Sequence, residues 1–257
     1  MRFEVCVDDV AGVLAAQEGG ADRVELCCAL FEGGLTPSAG TVETVRAMSS
    51  IDVNVLIRPR GGDFIYDRYE VRAMLRDVEI AAELGVHGVV VGALTEDGDV
   101  DVALCRQLVS AAQGLSVTFH RAFDMARRPF DSLEAIVDLG ADRLLTSGQE
   151  ASALEGAPLI ADLVAAAADR LIVMPGGGIT EHNVLRILDL TGASEIHFSA
   201  RTSAESAARH RNTRVAMGGA LRSEEYVRRR TSPAAIGSVV STAMGGSPEG
   251  KPRSGAQ

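Results

Sequence analysis

At 257 residues, 46% hydrophobic and 23% charged, the chain suits one large domain or two small ones around a Val/Leu/Ile/Ala core. A net charge of −10 argues against nucleic acid or an anionic membrane as the main partner, and four irregularly spaced cysteines do not make a secreted disulfide framework. No signal sequence or long apolar run is visible, so a cytosolic protein is expected. The single lysine, Lys251, lies in a Gly/Ser/Pro-rich tail and leaves no candidate for Schiff-base or PLP chemistry.

Residues 3–8 read as a strand and residues 23–27 as the next. Side chains alternate between the faces of a strand, so Phe3, Val5 and Val7 share one face with Val24 and Leu26. The other face carries Glu4 and Cys6 beside Glu25 and Cys27. The helical spacing of residues 10–20 makes the two strands parallel neighbours. Further strands are predicted at 53–58, 89–94, 116–120, 143–146, 171–174 and 195–199. Helices are predicted at 41–48, 68–84, 102–112, 132–139, 151–168 and 181–190. Eight strand–helix units in about 200 residues predict a (β/α)8 TIM barrel. A dinucleotide-binding sheet would need G-x-G-x-x-G after the first strand, and none is there, so no nucleotide cofactor is expected.

Beyond residue 202 the rhythm stops. The basic stretch 210–230 is a candidate cap for the barrel mouth, and 232–244 a closing helix with Ser232 as N-cap and Pro233 at its first position. The expected organisation is one domain over 1–244, its barrel core about 1–202, and a disordered tail at 245–257.

In such barrels functional residues sit at the carboxyl ends of the strands. Arg58 and Arg60 flank a proline ahead of Gly61-Gly62, an arrangement able to receive a carboxylate or phosphate. His120, beside Arg121 and near Asp124, reads as either a satisfied core histidine or a general acid or base. Ser147, Gly177 and Gly178, and Ser199 with Arg201 suit either an anion site or tight barrel turns. Deeper inside, Glu4 and Glu25 are costly to bury unpaired, and read as a structural ion pair with Arg58 or as catalytic groups. His197 faces inward with them. Cys6 and Cys27, facing the same way on strands about 5 Å apart, suit a soft, low-coordinate ion such as Cu(I) and are too few for a closed zinc site. Cys28 should face away, and Cys105 falls on a helix.

These strings resemble the CutC family, named for copper homeostasis. They are Glu4–Asp8, Gly19–Cys27, Glu32–Ser38, Ile57–Phe64, Thr118–Asp124, Leu145–Gly148, Met174–Gly178 and His197–Arg201, which carry the likeness over about residues 1–202. The resemblance implies a cytosolic TIM barrel, a homodimer or homotetramer, that handles copper with Cys6 and Cys27 in the positions proposed for Cu(I). Two readings follow. One is a copper-homeostasis protein holding Cu(I) through the paired thiols. The alternative is a TIM-barrel lyase, isomerase or hydrolase acting on a small anionic metabolite. In it Glu4, Glu25 and His120 would serve the chemistry and Arg58, Arg60 and Arg121 would hold the anion.

Overall fold

In the computed structural model, which describes residues 1–245 except 113, 216 and 218–224, the short Val-rich runs form eight parallel strands. These are β1 (Arg2–Val7), β2 (Arg23–Leu26), β3 (Asp52–Leu56), β4 (Gly88–Val91), β5 (Ser116–Phe119), β6 (Arg143–Thr146), β7 (Ile172–Pro175) and β8 (Glu195–Phe198). Seven helices alternate with them: α1 (Val10–Glu18), α2 (Ala39–Met48), α3 (Arg68–Glu83), α4 (Val102–Ala111), α5 (Pro129–Asp138), α6 (Ala157–Ala167) and α7 (Val184–Thr191). The strands pair in chain order from β1 to β7, and β8 returns to pair with β1. A bridge between Gly176 and His197 joins β7 to β8 and closes the ring. This is the TIM barrel that the sequence predicts.

The outward strand faces are almost purely aliphatic. Val5, Val7, Val24, Leu26, Val53, Val55, Val89 and Val91 are buried beneath the helices in one continuous core. At about 25 cal/mol per Å2, this seam is the main stabilising term of the fold. The longest helix, α3, starts on a reciprocal cap: the Asp67 carboxylate accepts from the Tyr69 and Glu70 amides, and the Glu70 carboxylate accepts from the Asp67 amide.

Two segments differ from the sequence-based expectation. The predicted helix at 151–168 begins only at Ala157, next to Pro158. Before it the chain turns at Gly148 and Gln149, with φ of 72° and 58°, and Gly156 packs against Ser147 and Gly148 so closely that a Cβ on Gly156 would overlap backbone. In place of a free basic cap, the chain beyond the barrel forms a ribbon of β9 (Arg201–Glu205) paired antiparallel with β10 (Val227–Thr231). The ribbon sits against α1, with Arg201 and Arg228 ion-paired to Asp8 and Asp9. Then α8 (Pro233–Ala243) packs on α1 and α7, and the Ser232 hydroxyl accepts from the Ala235 amide as the predicted N-cap. The predicted disordered tail, 245–257, lies outside the described residues save for Gly245.

The barrel interior is ionic at its lower end. Arg23 donates from Nε to Glu4 at 2.5 Å and from Nη2 to Glu195 at 2.7 Å. Arg143 donates to the same Glu195 oxygen at 2.8 Å and to the Ser116 hydroxyl at 2.6 Å. All of these carboxylates and guanidiniums are buried. Removing the shared carboxylate would leave two buried cations facing each other, which costs about 3–5 kcal/mol. Glu195→Gln is therefore expected to lose about that much in urea denaturation, while breaking the exposed Arg170–Glu134 pair leaves the midpoint unmoved.

Candidate functional site

Above this ionic plug, the carboxyl ends of the strands surround a cavity of about 310 Å3. Its lining includes Cys6, Glu25, Leu56, Arg58, Phe64, His120, Arg121, Leu145, Gly177, Gly178, His197 and Ser199. Register places the floor: Glu4 lies level with Arg23 and Cys6 with Glu25, while on the other side Glu4 lies level with His197.

Cys6 donates its thiol to Glu25 at 3.1 Å, and its sulfur lies 3.8 Å from that of Cys27. The Cys27 thiol donates to the Val7 carbonyl at 3.3 Å. His197 contacts Glu4 through Nδ1 at 2.8 Å, leaving Nε2 directed to the Glu25 carboxylate at 3.8 Å. The ligating atoms of Cys6, Glu25 and His197 all lie within 4.8 Å of one another, and all three residues are buried. A carboxylate holding one imidazole nitrogen so that the other faces the Glu25 carboxylate and the Cys6 sulfur is the arrangement by which proteins orient a metal-ligating histidine. The three side chains form a cluster that could hold a metal ion.

The electrostatics of the floor are tightly linked. Burial pushes the Glu4 carboxyl up, but the hydrogen bond with His197 and the charge of Arg23 outweigh it and bring its pKa to about 2. Burial pushes His197 down, yet Glu25, Cys6 and Glu4 together hold it well above the ordinary imidazole value. Glu25 is raised, chiefly by burial. The Cys6 thiol is raised well above its usual value by its contact with Cys27, by burial and by Glu25. The resting floor therefore holds an imidazolium between carboxylates and a protonated Cys6.

His120 behaves oppositely. Burial, with Arg58's charge adding, lowers it to about 3, so the ring stays neutral. The Ala122 amide donates to Nδ1 at 3.1 Å, which puts the ring proton on Nε2, and Nε2 has no partner among the described residues. Phe64 lies tilted against the ring at 5.1 Å and also carries the Arg58 guanidinium over its face at 5.0 Å.

Several expected roles change. Arg58 is not the partner of Glu4 or Glu25. Two positions past the end of β3, it sits at the mouth, donating Nη1 to the Glu32 and Gly34 carbonyls and Nη2 to that of Gly62. The partners of Glu4 are Arg23 and His197. Arg60 turns away from the cavity to Asp63 and Glu70. Arg201 pairs with Asp8 on the ribbon side. Ser147 is buried behind the lining, its hydroxyl engaged with Arg121, Asp124 and the Glu150 carbonyl. Arg121, Gly177, Gly178 and Ser199 do line the cavity. Cys28 bonds to the Thr36 carbonyl, and Cys105 is buried in the core on α4, as their positions predict.

Against this geometry, comparison with known proteins is decisive. The profile of the CutC family matches residues 1–202. The chain belongs to the CutC family. A CutC family protein of Parabacteroides distasonis is 52% identical over 225 residues, covering 87% of this chain and 93% of that one. A human protein described as a copper homeostasis protein cutC homolog is 51% identical over 224 residues, covering 87% and 82%. The crystal structure of a putative copper homeostasis protein CutC from Streptococcus agalactiae superposes with a TM-score of 0.74 at 35% identity, covering 77% of this chain and 98% of that one. A phosphoribosyl anthranilate isomerase from Thermotoga maritima shares the fold alone, at a TM-score of 0.57 and 13% identity, covering 95% and 99%. No helix among the described residues is long and apolar enough to cross a membrane.

His197 is the floor residue whose part the sequence understated. Counting two positions down its strand would also have put Glu195 inside, and the same count from Glu25 gives Arg23. The raised His197 pKa carries a sign. Its charge stabilises the fold fully below about pH 6.5, the unfolded value, and that contribution is lost as pH rises through the folded value. For Glu4 the contribution is lost as pH falls toward about 2. In an NMR titration the His197 ring is expected to stay protonated past pH 6.5 and His120 to stay neutral down to about 3. A His197 that deprotonates below 6.5 would contradict this electrostatic account.

Proposed function

We propose that this protein handles copper by holding Cu(I) on the cavity floor between Cys6 and Cys27, with His197 Nε2 as a further donor. The observation that carries the reading is the pair of sulfurs 3.8 Å apart on the inner wall, one of them lining the cavity. Two thiolates and an imidazole are soft and borderline donors, and soft ligands select Cu(I) over the harder divalent ions. The buried aliphatic neighbours Leu56 and Val90 would keep water from the thiolates. Glu4 would fix the His197 tautomer from behind, and Glu25 would take the Cys6 proton as the ion enters. Membership of a family named for copper homeostasis supports the same reading.

A second reading, an enzyme acting on a small anionic metabolite, is favoured by the size of the cavity. About 310 Å3 is far more space than one ion needs, and Arg58, His120 and Arg121 line it above the floor.

Anaerobic competition titration with a Cu(I) chelator tests the first reading. Wild type is expected to bind one Cu(I), and Cys6→Ser with Cys27→Ser to abolish that binding with the far-UV spectrum unchanged. Glu4→Gln is expected to weaken it about 10- to 100-fold, the usual loss when a ligating histidine loses its outer partner. Undiminished binding in the double serine variant would sink the proposal.

A further inference from the structure

The copper reading needs two sulfurs, and the cavity presents one. Cys6 lines it, whereas Cys27 is fully buried and does not. The chain that follows Cys27 lies against it. Residues 28–35 form a short hairpin closed at its base by the Cys28 and Leu35 amides, each donating to the other residue's carbonyl, at 2.9 and 2.8 Å. That base is stitched to the end of β3: the Thr36 amide donates to the Arg58 carbonyl at 2.9 Å and the Arg58 amide to the Thr36 hydroxyl at 2.8 Å. The tip turns once, at Leu30–Glu32. From it Leu30 packs on the cluster of Cys6, Cys27, Leu56 and Val90. Gly34 is buried so close to Cys27 that a Cβ there would stand 3.4 Å from the sulfur and 2.8 Å from the Leu56 side chain.

One side chain holds the tip down. Arg58 Nη1 donates to the Glu32 carbonyl at 2.7 Å and to the Gly34 carbonyl at 3.1 Å. Among the described residues these are the only hydrogen bonds between residues 29–34 and the rest of the protein. Arg58 Nη2 donates to the Gly62 carbonyl at 3.0 Å, so one guanidinium ties the loop after β2 to the loop after β3. Its hydrogen-bond partners there are all neutral carbonyls, weaker acceptors for a guanidinium than the carboxylates that hold Arg23 and Arg143. The closed tip also turns on three left-handed residues, Ala29, Gly33 and Gly34, at φ of 49°, 84° and 93°. Glycine takes that conformation freely, and alanine takes it at a cost. Apart from the seat of Leu30, little keeps such a tip closed once the guanidinium lets go.

We propose that residues 28–35 are a lid over Cys27 and that Arg58 is its latch, so that the second thiol is reached only when the guanidinium releases the Glu32 and Gly34 carbonyls. Arg58 is then a positioning residue, which acts through the hairpin and does not touch the sulfurs. The tip moves about the stitched base, which keeps β2 and β3 in place. Because Arg58 also lines the cavity, a group that draws its guanidinium away opens the lid from inside. The use of the lid rests on the copper reading, in which an ion first held at Cys6 gains its second sulfur on opening. Its motion does not depend on copper.

The test is alkylation of the full chain by iodoacetamide, kept reduced and free of metal, with each cysteine followed by peptide mass spectrometry. Arg58→Gln is expected to speed reaction at Cys27 at least tenfold and to leave Cys105, in the core on α4, as in wild type. Loss of the cation by itself disfavours a thiolate and slows a thiol, so a faster Cys27 reports access and not charge. Leu30→Ala, on the partly buried tip, is expected to speed Cys27 severalfold, and it decides the matter if Arg58→Gln does not fold. A Cys27 rate unchanged in the variants that fold, or a rise that Cys105 shares, would overturn the lid. Cu(I) competition on the same proteins separates the two ideas: a faster Cys27 with no Cu(I) bound retains the lid and removes copper as what it admits.

Discussion

A line of ionisable side chains climbs the inside of the barrel, from Arg143 through Glu195, Arg23, Glu4, His197 and Glu25 to Cys6, each in contact with the next. The signs alternate from Arg143 to Glu25. Alternation is what makes such a line tolerable, because an isolated charge in this setting costs many kcal/mol and a neighbour of opposite sign offsets most of it. Each residue also fixes the next one's orientation. Arg143 and Arg23 share one oxygen of Glu195, Arg23 turns Glu4, and Glu4 aims His197. The geometry at the floor of the cavity is therefore set at the bottom of the barrel.

The line also explains how the interior is divided. Aliphatic residues fill the outward faces of the strands and hold the helices, so the inward faces are free to carry polar groups. Below the floor, although Arg23 Nη1 and Asn54 Oδ1 keep no hydrogen-bond partner among the described residues, the charged groups pair with one another. Above it Arg58 and His120 do not. Arg58 relies on carbonyls, and His120 keeps an unpartnered Nε2. In a folded protein, satisfied polar groups read as structure and unsatisfied ones as places for a ligand. Glu25, Cys6 and His197 stand between the ionic plug and the cavity.

Much of this was legible in the amino-acid sequence. Alternation put Glu4, Cys6, Glu25 and Cys27 inside, and the repeated strand–helix spacing gave the barrel. The N-cap at Ser232 located the closing helix. What escaped was pairing across distance. The partner of Glu4 is Arg23 on the adjacent strand, and that of Arg23 is Glu195, 172 positions away, a contact that only barrel closure creates. Arg58 and Arg60 look equivalent in sequence, yet one turns into the mouth and the other meets Glu70 on α3. Tail structure was the least legible part, since β10 reads as an arginine run whose partner strand lies more than 20 residues earlier.

The same floor suits both readings because a proton and a soft cation compete for the same atoms. With Cys6 protonated against Glu25, and His197 charged between Glu4 and Glu25, the cluster is an acid–base system in its resting state. A metal ion taking those sulfurs and that nitrogen would displace the protons, and Glu25 and Glu4 would balance its charge in their stead. On the proposed reading, copper and protons would be alternative loadings of one electrostatic frame. The choice between them depends on what enters through the mouth, where Arg58 and Arg121 line the cavity with positive charge.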